Sequence, residues 1–115
     1  MAHIKVDGQA FEVADGTRLV LALEDAGIDV MHRCGGYAGC TTCRVEFSEG
    51  EPSAMTVAER DVLEKRDLLG SSRLSCQITC QGTMALTPLV RVSSSGVDGP
   101  GARPEDGITP EPEWI

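Results

Sequence analysis

The segment "HRCGGYAGCTTCRVEF", residues 32–47, places three cysteines within ten positions among glycines and threonines. Two further cysteines follow in "RLSCQITC", residues 73–80. Five cysteines are an odd number, and in a reducing compartment such a cluster more often binds metal or does redox chemistry than forms disulfides. The spacing of these cysteines therefore decides how the rest of the sequence is interpreted.

The composition fits one small domain with an aliphatic core. The chain has 115 residues and is 41% hydrophobic, but it contains only two Phe, one Tyr and one Trp. A core of this size gains stability from a metal or cofactor that ties loops together. The sequence shows no charged leader before an apolar stretch and no apolar run long enough to cross a bilayer, so we expect a soluble, cytoplasmic protein.

The negative charge is concentrated toward the end of the chain. The formal net charge is −8, and residues 93–115 contain five acidic residues against the single Arg103. An acidic chain repels nucleic acid and anionic membranes and is attracted to basic protein surfaces. We therefore expect no nucleic-acid or membrane partner, and we hypothesise that the acidic tail helps to steer docking on a protein partner.

The first 27 residues predict a hairpin followed by a helix. In "HIKVDGQAFEV", residues 3–13, apolar residues alternate on both sides of an Asp-Gly pair, which is typical of two antiparallel strands joined by a tight turn. Thr17 is in position to cap a helix that begins at Arg18, and Gly27 is in position to end it. This short helix is expected to face the core.

The segments after the cysteine cluster predict another strand, a second helix and two more strands. A brief strand is expected at residues 45–47, and "TVAE" from Thr56 to Glu59 has the spacing of a capping box. The helix that follows is expected to run to about Asp67. The segments "RLSCQIT" and "TMALTPLV" predict the two strands, and Pro88 indicates that the second is irregular or lies at a sheet edge.

Residues 93–115 are predicted to form an acidic tail beyond a folded domain of residues 1–92. The tail contains four of the six prolines and shows neither helical nor strand periodicity. Trp114 is a candidate anchor onto the domain or a partner, although an exposed residue without a role is the more common case.

The cysteine spacing indicates an iron–sulfur site. Five residues separate Cys34 from Cys40 and two separate Cys40 from Cys43; Cys76 lies far downstream, followed by Cys80. Plant-type iron–sulfur sites use gaps of four and two residues before a distant cysteine. The pattern here is that arrangement with one residue added to the first gap, and it leaves one cysteine spare.

The residues around the cysteines suit that chemistry. A cluster of two ferric ions, two sulfides and four thiolates carries about two negative charges, so the surrounding loop must direct backbone N–H groups at sulfur. Gly35, Gly36 and Gly39 allow a close backbone approach, because glycine adopts positive φ at little cost. Thr41 and Thr42 offer hydroxyl donors.

The segments "CGGYAGCTTCRV" and "RLSCQI" resemble the cluster-binding segments of 2Fe-2S ferredoxins. The five-residue first gap is similar to the adrenodoxin-like and bacterial assembly-type branch of that family. The resemblance extends over residues 1 to about 92. It implies an α+β fold of the β-grasp (ubiquitin-like) type, in which a mixed sheet holds one main helix, with a second short helix and a cluster-binding loop.

The resemblance also implies the ligand set. The family places two loop cysteines on one iron, which here are Cys34 and Cys40, and the third loop cysteine with the distant one on the other iron, which here are Cys43 and Cys76. The distant cysteine of the family lies in an R-L-x-C-Q context, which residues 73–77 reproduce. Cys76, and not Cys80, is therefore expected to bind a 2Fe-2S cluster.

The function that this resemblance implies is electron carriage and not enzymatic catalysis. Members of the family shuttle one electron at a time from a ferredoxin reductase to an acceptor, and we expect an oxygenase or an assembly machinery as the acceptor of a monomeric protein. No nucleophile with a base and no pocket with paired acids is evident in the sequence.

Two other uses of the cysteines stay open at this point. Cys40, Cys43, Cys76 and Cys80 form two close pairs that suit tetrahedral zinc, although this leaves Cys34 and its glycines without a purpose. A thioredoxin-like redox pair lacks the expected βαβ context. The alternative function is a regulatory or interaction module with a structural or redox-sensing metal, zinc or iron–sulfur.

Overall fold

The computed structural model describes residues 1–30, 42–90, 104–109 and 112–114. Within these ranges the elements in chain order are β1 (Ala2–Val6), β2 (Gln9–Val13), α1 (Leu19–Asp25), β3 (Arg44–Glu49), α2 (Val57–Lys65), β4 (Arg73–Leu74), a 3₁₀ turn (Ser75–Gln77) and β5 (Thr83–Pro88). The five strands form one mixed sheet in the order β2-β1-β5-β3-β4. Strands β1 and β5 are parallel, and the other neighbouring pairs are antiparallel.

The predicted hairpin is confirmed. Strands β1 and β2 pair from Ala2 opposite Val13 to Val6 opposite Gln9, so only two residues connect them. Both connecting residues, Asp7 and Gly8, have positive φ, which gives a turn whose twist matches that of the flanking strands. The Asp-Gly pair therefore sets the register that buries one face of β1.

Helix α1 lies between two hydrophobic clusters. Leu19 and Leu23 pack with β1, β3 and β5, whereas Val20 and Leu21 pack with α2, Cys43 and β4. Because both sides are covered, the five residues Leu19–Leu23 are all buried. This helix is the main helix expected of a β-grasp fold, and it joins the sheet to the part of the molecule that contains the downstream cysteines.

The predicted cap of α1 is wrong. The Thr17 hydroxyl donates to the carbonyl oxygen of Ala14 at 2.6 Å and makes no cap of the helix, whose preceding residue is Arg18. The first helical N–H, that of Leu19, instead donates to the Ile78 carbonyl oxygen at 2.8 Å. A distant segment of the chain thus satisfies the first N–H group of the helix, where a side-chain cap was expected to act.

Helix α2 begins as predicted and ends two residues earlier than expected. The Thr56 hydroxyl accepts from the Glu59 N–H at 3.1 Å, which confirms half of the capping box. The Glu59 carboxylate does not return to the cap, because it binds Arg73 and the Leu74 N–H. The helix ends at Lys65, and Asp67 has a φ of 57°.

The last two predicted strands are only partly right. The first is limited to Arg73–Leu74 before the chain enters the 3₁₀ turn. The second is β5, which was expected to be irregular or to lie at an edge. The edge position is wrong, since β1 and β3 flank the strand, but its pairing with β3 is irregular, with a register shift between Phe47 and Glu49. Pro88 is tolerated because it is the final residue of the strand, where the missing N–H interrupts the ladder at its end only. Among the described residues, no helix is both long and apolar enough to span a membrane.

Candidate metal centre

Two of the four predicted ligands, Cys43 and Cys76, lie side by side in the fold. Cys43 directly precedes β3 and Cys76 lies in the 3₁₀ turn after β4, the strand that pairs with β3. Between them, the Ser75 N–H and hydroxyl both donate to the Cys43 carbonyl oxygen, at 3.2 and 2.7 Å. The pairing of β3 with β4 thus brings cysteines 33 positions apart in sequence into contact.

Both thiols are buried and hydrogen-bonded to each other. The exposed fraction is 1% for Cys43 and 0% for Cys76. The hydrogen bond to Cys76 and the loss of solvent raise the pKa of Cys43 well above its usual range. The Cys43 thiol therefore stays protonated without metal, and iron binding would displace its proton because iron takes thiolates.

The other two predicted ligands, Cys34 and Cys40, lie outside the described residues, as do the glycines between them. Within residues 1–30, 42–90, 104–109 and 112–114, no three His, Cys, Asp or Glu side chains are grouped to hold a metal ion. Those ranges contain only two of the four predicted ligands, so no complete set is expected there. The complete four-cysteine set stays a prediction.

Cys80 is separate from the Cys43–Cys76 pair. It is fully buried in the hydrophobic cluster that contains the sheet residues Ile4 and Val45, whereas the other two described cysteines belong to the second cluster. Burial raises the pKa of the Cys80 thiol to about 12. Within its surroundings Cys80 acts as a small apolar side chain, and not as a thiolate ligand.

Arg73 and Glu59 brace the strand that leads to Cys76. The Arg73 guanidinium binds the Glu59 carboxylate at 2.8 and 3.1 Å, and Glu59 also accepts from the Leu74 N–H at 2.8 Å. Arg73 further donates to the Pro52 and Ala54 carbonyl oxygens. The arginine of the R-L-x-C-Q context thus fixes the backbone two residues before the predicted ligand.

Gln77 connects the cysteine pair to the rest of the molecule. Its amide oxygen accepts from the Thr56 hydroxyl at 2.7 Å, and its amide nitrogen lies 3.6 Å from the sulfur of Cys76 and 2.8 Å from the Thr109 carbonyl oxygen. The sequence pointed to Gln77 only as the last residue of the R-L-x-C-Q motif, and it gave no indication of these hydrogen bonds. Its position beside a predicted ligand was the one local signal of this role.

The described residues of the predicted tail lie against the folded domain. We refer to residues 104–109 and 112–114 as the C-terminal strap. The Val57 N–H donates to the Glu113 carbonyl oxygen at 2.8 Å, and Trp114 pairs with Thr56 in an isolated β-bridge. Trp114 is 50% exposed and lines a cavity of about 200 Å³ beside Ile78. The division of the chain at residue 92 stays a prediction, because residues 91–103 lie outside the described part.

Arg18 was not identified from the sequence, although it is the largest fully buried side chain among the described residues. Its Nε donates to the Cys76 carbonyl oxygen at 2.7 Å, and its terminal nitrogens donate to carbonyl oxygens of the strap. A lone arginine at a helix start carries no sequence signal of this kind. Its role depends on segments 58 and about 90 positions away.

The protein-family comparison supplies the decisive observation. Residues 3–81 match the model of the 2Fe-2S iron–sulfur cluster binding domain, which is more than half of the chain. This chain belongs to that family. Its cofactor is a 2Fe-2S cluster, and the described donor set fits one, since two buried sulfur atoms lie together with an amide N–H directed at one of them.

Curated relatives of this 2Fe-2S protein include both short and long chains. It is 37% identical over 86 residues to putidaredoxin of Pseudomonas putida, covering 68% of this chain and 80% of the relative. It is 39% identical over 71 residues to one subunit of the Na⁺-translocating NADH-quinone reductase of Idiomarina loihiensis, covering 62% of this chain. The match spans only 17% of that second relative.

Solved structures confirm the β-grasp ferredoxin fold and the branch that the sequence indicated. An ISC-like 2Fe-2S ferredoxin of Pseudomonas putida superimposes with a TM-score of 0.63 at 26% identity, covering 76% of this chain and 91% of that one. Putidaredoxin in its covalent complex with putidaredoxin reductase gives a TM-score of 0.61 at 32% identity, covering 78% and 100%.

Proposed function

We propose that this protein is a ferredoxin that carries single electrons through a 2Fe-2S cluster held by Cys34, Cys40, Cys43 and Cys76. The observation that carries the proposal is the buried contact between Cys43 and Cys76 in a chain of this family. The position of Cys80 in the other hydrophobic cluster supports the choice of Cys76 as the distant ligand.

The residues around the described half of the site would hold it rigid. When bound, the cluster would supply one-electron redox chemistry at this site. Ser75 ties the Cys43 carbonyl to the 3₁₀ turn, and Arg73 with Glu59 fixes the strand before Cys76. Burial of both sulfur atoms excludes water from this side of the site. A site that keeps its geometry in both oxidation states exchanges electrons with little reorganisation.

The partners in this proposal are a ferredoxin reductase and an electron-accepting protein, an oxygenase or an assembly machinery. The likeness to putidaredoxin, which was solved in complex with its reductase, supports the first partner. The net charge of −8 favours basic docking surfaces on both. We further propose that the protein acts in the cytoplasm as a monomer.

The experiment that tests the function is spectroscopic. The full chain is purified anaerobically, and its visible absorption and EPR spectra are recorded before and after dithionite, with iron, sulfide and zinc assays on the same sample. We expect a brown protein with equal iron and sulfide that bleaches on reduction, develops a one-electron EPR signal and recovers on reoxidation.

Two outcomes would contradict the proposal. A colourless protein with stoichiometric zinc would favour a structural metal module. A cluster that assembles but is destroyed by a single reduction cycle would favour a sensing role over electron carriage, because a carrier must survive repeated cycles.

A further inference from the structure

Gln77 is completely buried, and both polar atoms of its side-chain amide are hydrogen-bonded. Its amide nitrogen faces two acceptors, the sulfur of Cys76 at 3.6 Å and the Thr109 carbonyl oxygen at 2.8 Å. Its amide oxygen faces the Thr56 hydroxyl at 2.7 Å. This side chain is therefore the link between a predicted ligand sulfur, the start of α2 and the C-terminal strap.

The hydrogen-bond partners fix which way the amide points. The Thr56 hydroxyl already accepts from the Glu59 N–H, so its own hydrogen is free to be donated to Gln77. The Thr109 carbonyl oxygen can only accept. The amide nitrogen must therefore face Thr109, and the same nitrogen then presents its second N–H to the sulfur of Cys76.

The strap that supplies the Thr109 carbonyl is held by Arg18. The guanidinium is 1% exposed and donates to the Glu105 and Gly107 carbonyl oxygens at 2.9 and 3.0 Å and to the Thr109 hydroxyl at 3.2 Å. On the side away from the strap, its Nε donates to the Cys76 carbonyl oxygen at 2.7 Å. The planar fork with five donors lets one side chain bind the strap and the ligand backbone together.

We propose that the C-terminal strap is a positioning element for the cluster, because it holds the Gln77 amide N–H on the sulfur of Cys76 and so raises the reduction potential. The inference rests on the proposed electron-carrier function. Reduction adds one negative charge to the cluster, and an N–H donor to a ligand sulfur favours the more negative state. Arg18 acts through the strap and Gln77, and Gln77 acts through Cys76, so both are positioning residues.

The test is a double-mutant cycle of midpoint potentials in the full chain. Gln77→Leu removes the N–H donor without changing charge, and Arg18→Lys keeps the charge but loses the fork. At a fixed solution potential we expect Gln77→Leu to lower the ratio of reduced to oxidised protein about tenfold, which corresponds to about 59 mV for one electron. Arg18→Lys should shift the potential in the same direction by less.

The decisive result is the double variant. If the strap acts through Gln77, adding Arg18→Lys to Gln77→Leu produces no further shift, because the donor that the strap positions is already absent. Additive shifts would overturn the role of the strap. An unchanged potential in Gln77→Leu would overturn the role of the amide.

Two controls keep the result interpretable. Gln81→Leu is the matched substitution at an exposed glutamine four positions away, and it should leave the potential unchanged. Trp114, the only tryptophan, reports strap docking, so Arg18→Lys should increase its quenching by acrylamide. Unchanged quenching together with an unchanged potential would overturn the Arg18 clamp.

A second variant guards against a folding defect. If Gln77→Leu fails to assemble a cluster, Gln77→Met has a similar length and flexibility and also lacks the donor. The same lowered potential is expected, and a wild-type value would overturn the proposal. An absence of any reversible one-electron couple in the wild-type protein would be a failure of the proposed function, and it is distinguishable from a couple whose potential does not respond to Gln77.

Discussion

At the scale of single residues, the site depends on buried polar groups whose partners come from other elements. Glu59 and Arg73 are 0% and 4% exposed, and each has several partners. The pair cannot be replaced from one side only, because an unpaired buried charge costs far more than an exposed one. This coupling explains why the arginine before the distant cysteine is more than a sequence marker.

The ligand assignment leads to a prediction about two neighbouring cysteines. Cys76→Ser should lose most of its iron and sulfide, because a ligand sulfur is replaced by an oxygen that binds iron poorly. Cys80→Ser should retain the cluster, since Cys80 lies in the other hydrophobic cluster. Iron and sulfide content with the visible spectrum measures both. The reverse pattern would show that Cys80 is the distant ligand.

The ion pair leads to a second prediction. Arg73→Leu should destabilise the protein by about 3–5 kcal/mol, because it leaves the Glu59 carboxylate buried without its partner. The apparent unfolding temperature of the holoprotein, measured at one scan rate, should fall by more than about 10 °C.

The matched control is Arg60→Leu, whose ion pair with Asp61 is exposed. This change should cost less than about 1 kcal/mol, because solvent screens surface pairs. Equal effects of the two substitutions would mean that burial of the Arg73 pair does not matter.

At the scale of elements, the approach of the β3–α2 connection to β5 requires a glycine. Gly50 has a φ of 74°, and a side-chain carbon there would collide with the Thr83 carbonyl oxygen at the start of β5. The register of β3 against β5 shifts just before this point, between Phe47 and Glu49. The bulge and the glycine together let the chain leave the sheet without losing contact with its central strand.

This geometry predicts different costs for two glycine substitutions. Gly82→Ala, at a φ of 62° with open space around it, should cost about 1–2 kcal/mol from backbone strain. Gly50→Ala should cost about 2 kcal/mol more, because the backbone of Thr83 has to shift as well. Apparent unfolding temperatures of the two holoproteins give the comparison, and similar values would refute the close approach.

At the scale of the whole molecule, the strap places acidic residues on the folded domain. Glu105, Asp106 and Glu113 are exposed in the described structure. A full-length variant with Gln, Asn and Gln at these positions should transfer electrons to cytochrome c, a basic acceptor, about tenfold more slowly at low salt. Stopped-flow kinetics against ionic strength should also show a smaller salt dependence than in the wild-type protein.

The control for this prediction removes the same number of charges elsewhere. Glu46, Glu49 and Glu64 are exposed on β3 and α2, and their replacement by Gln should slow transfer less. Equal slowing by both variants would attribute steering to net charge alone and remove any specific role for the strap acids.

Local sequence patterns correctly predicted those structural features in which the interacting residues are neighbours in the chain. The Asp-Gly turn and the Thr56 cap were both predictable, because each involves residues close together in sequence. The same reasoning failed for Thr17, whose predicted cap is replaced by the Ile78 carbonyl, and for Pro88, which ends a central strand. In both cases a partner from a distant segment decided the outcome.

The sequence by itself determined the family and its cofactor, because the family match extends over residues 3–81. It also determined the identity of the main elements, because turn residues and apolar periodicity lie within short stretches of sequence. The tertiary structure alone decided that Gln77 faces the sulfur of Cys76 and that Arg18 joins the strap to that ligand's backbone. These contacts join segments up to about 90 residues apart. No local pattern encodes them, since the buried donors and acceptors meet only when the sheet, α1 and the strap have packed together.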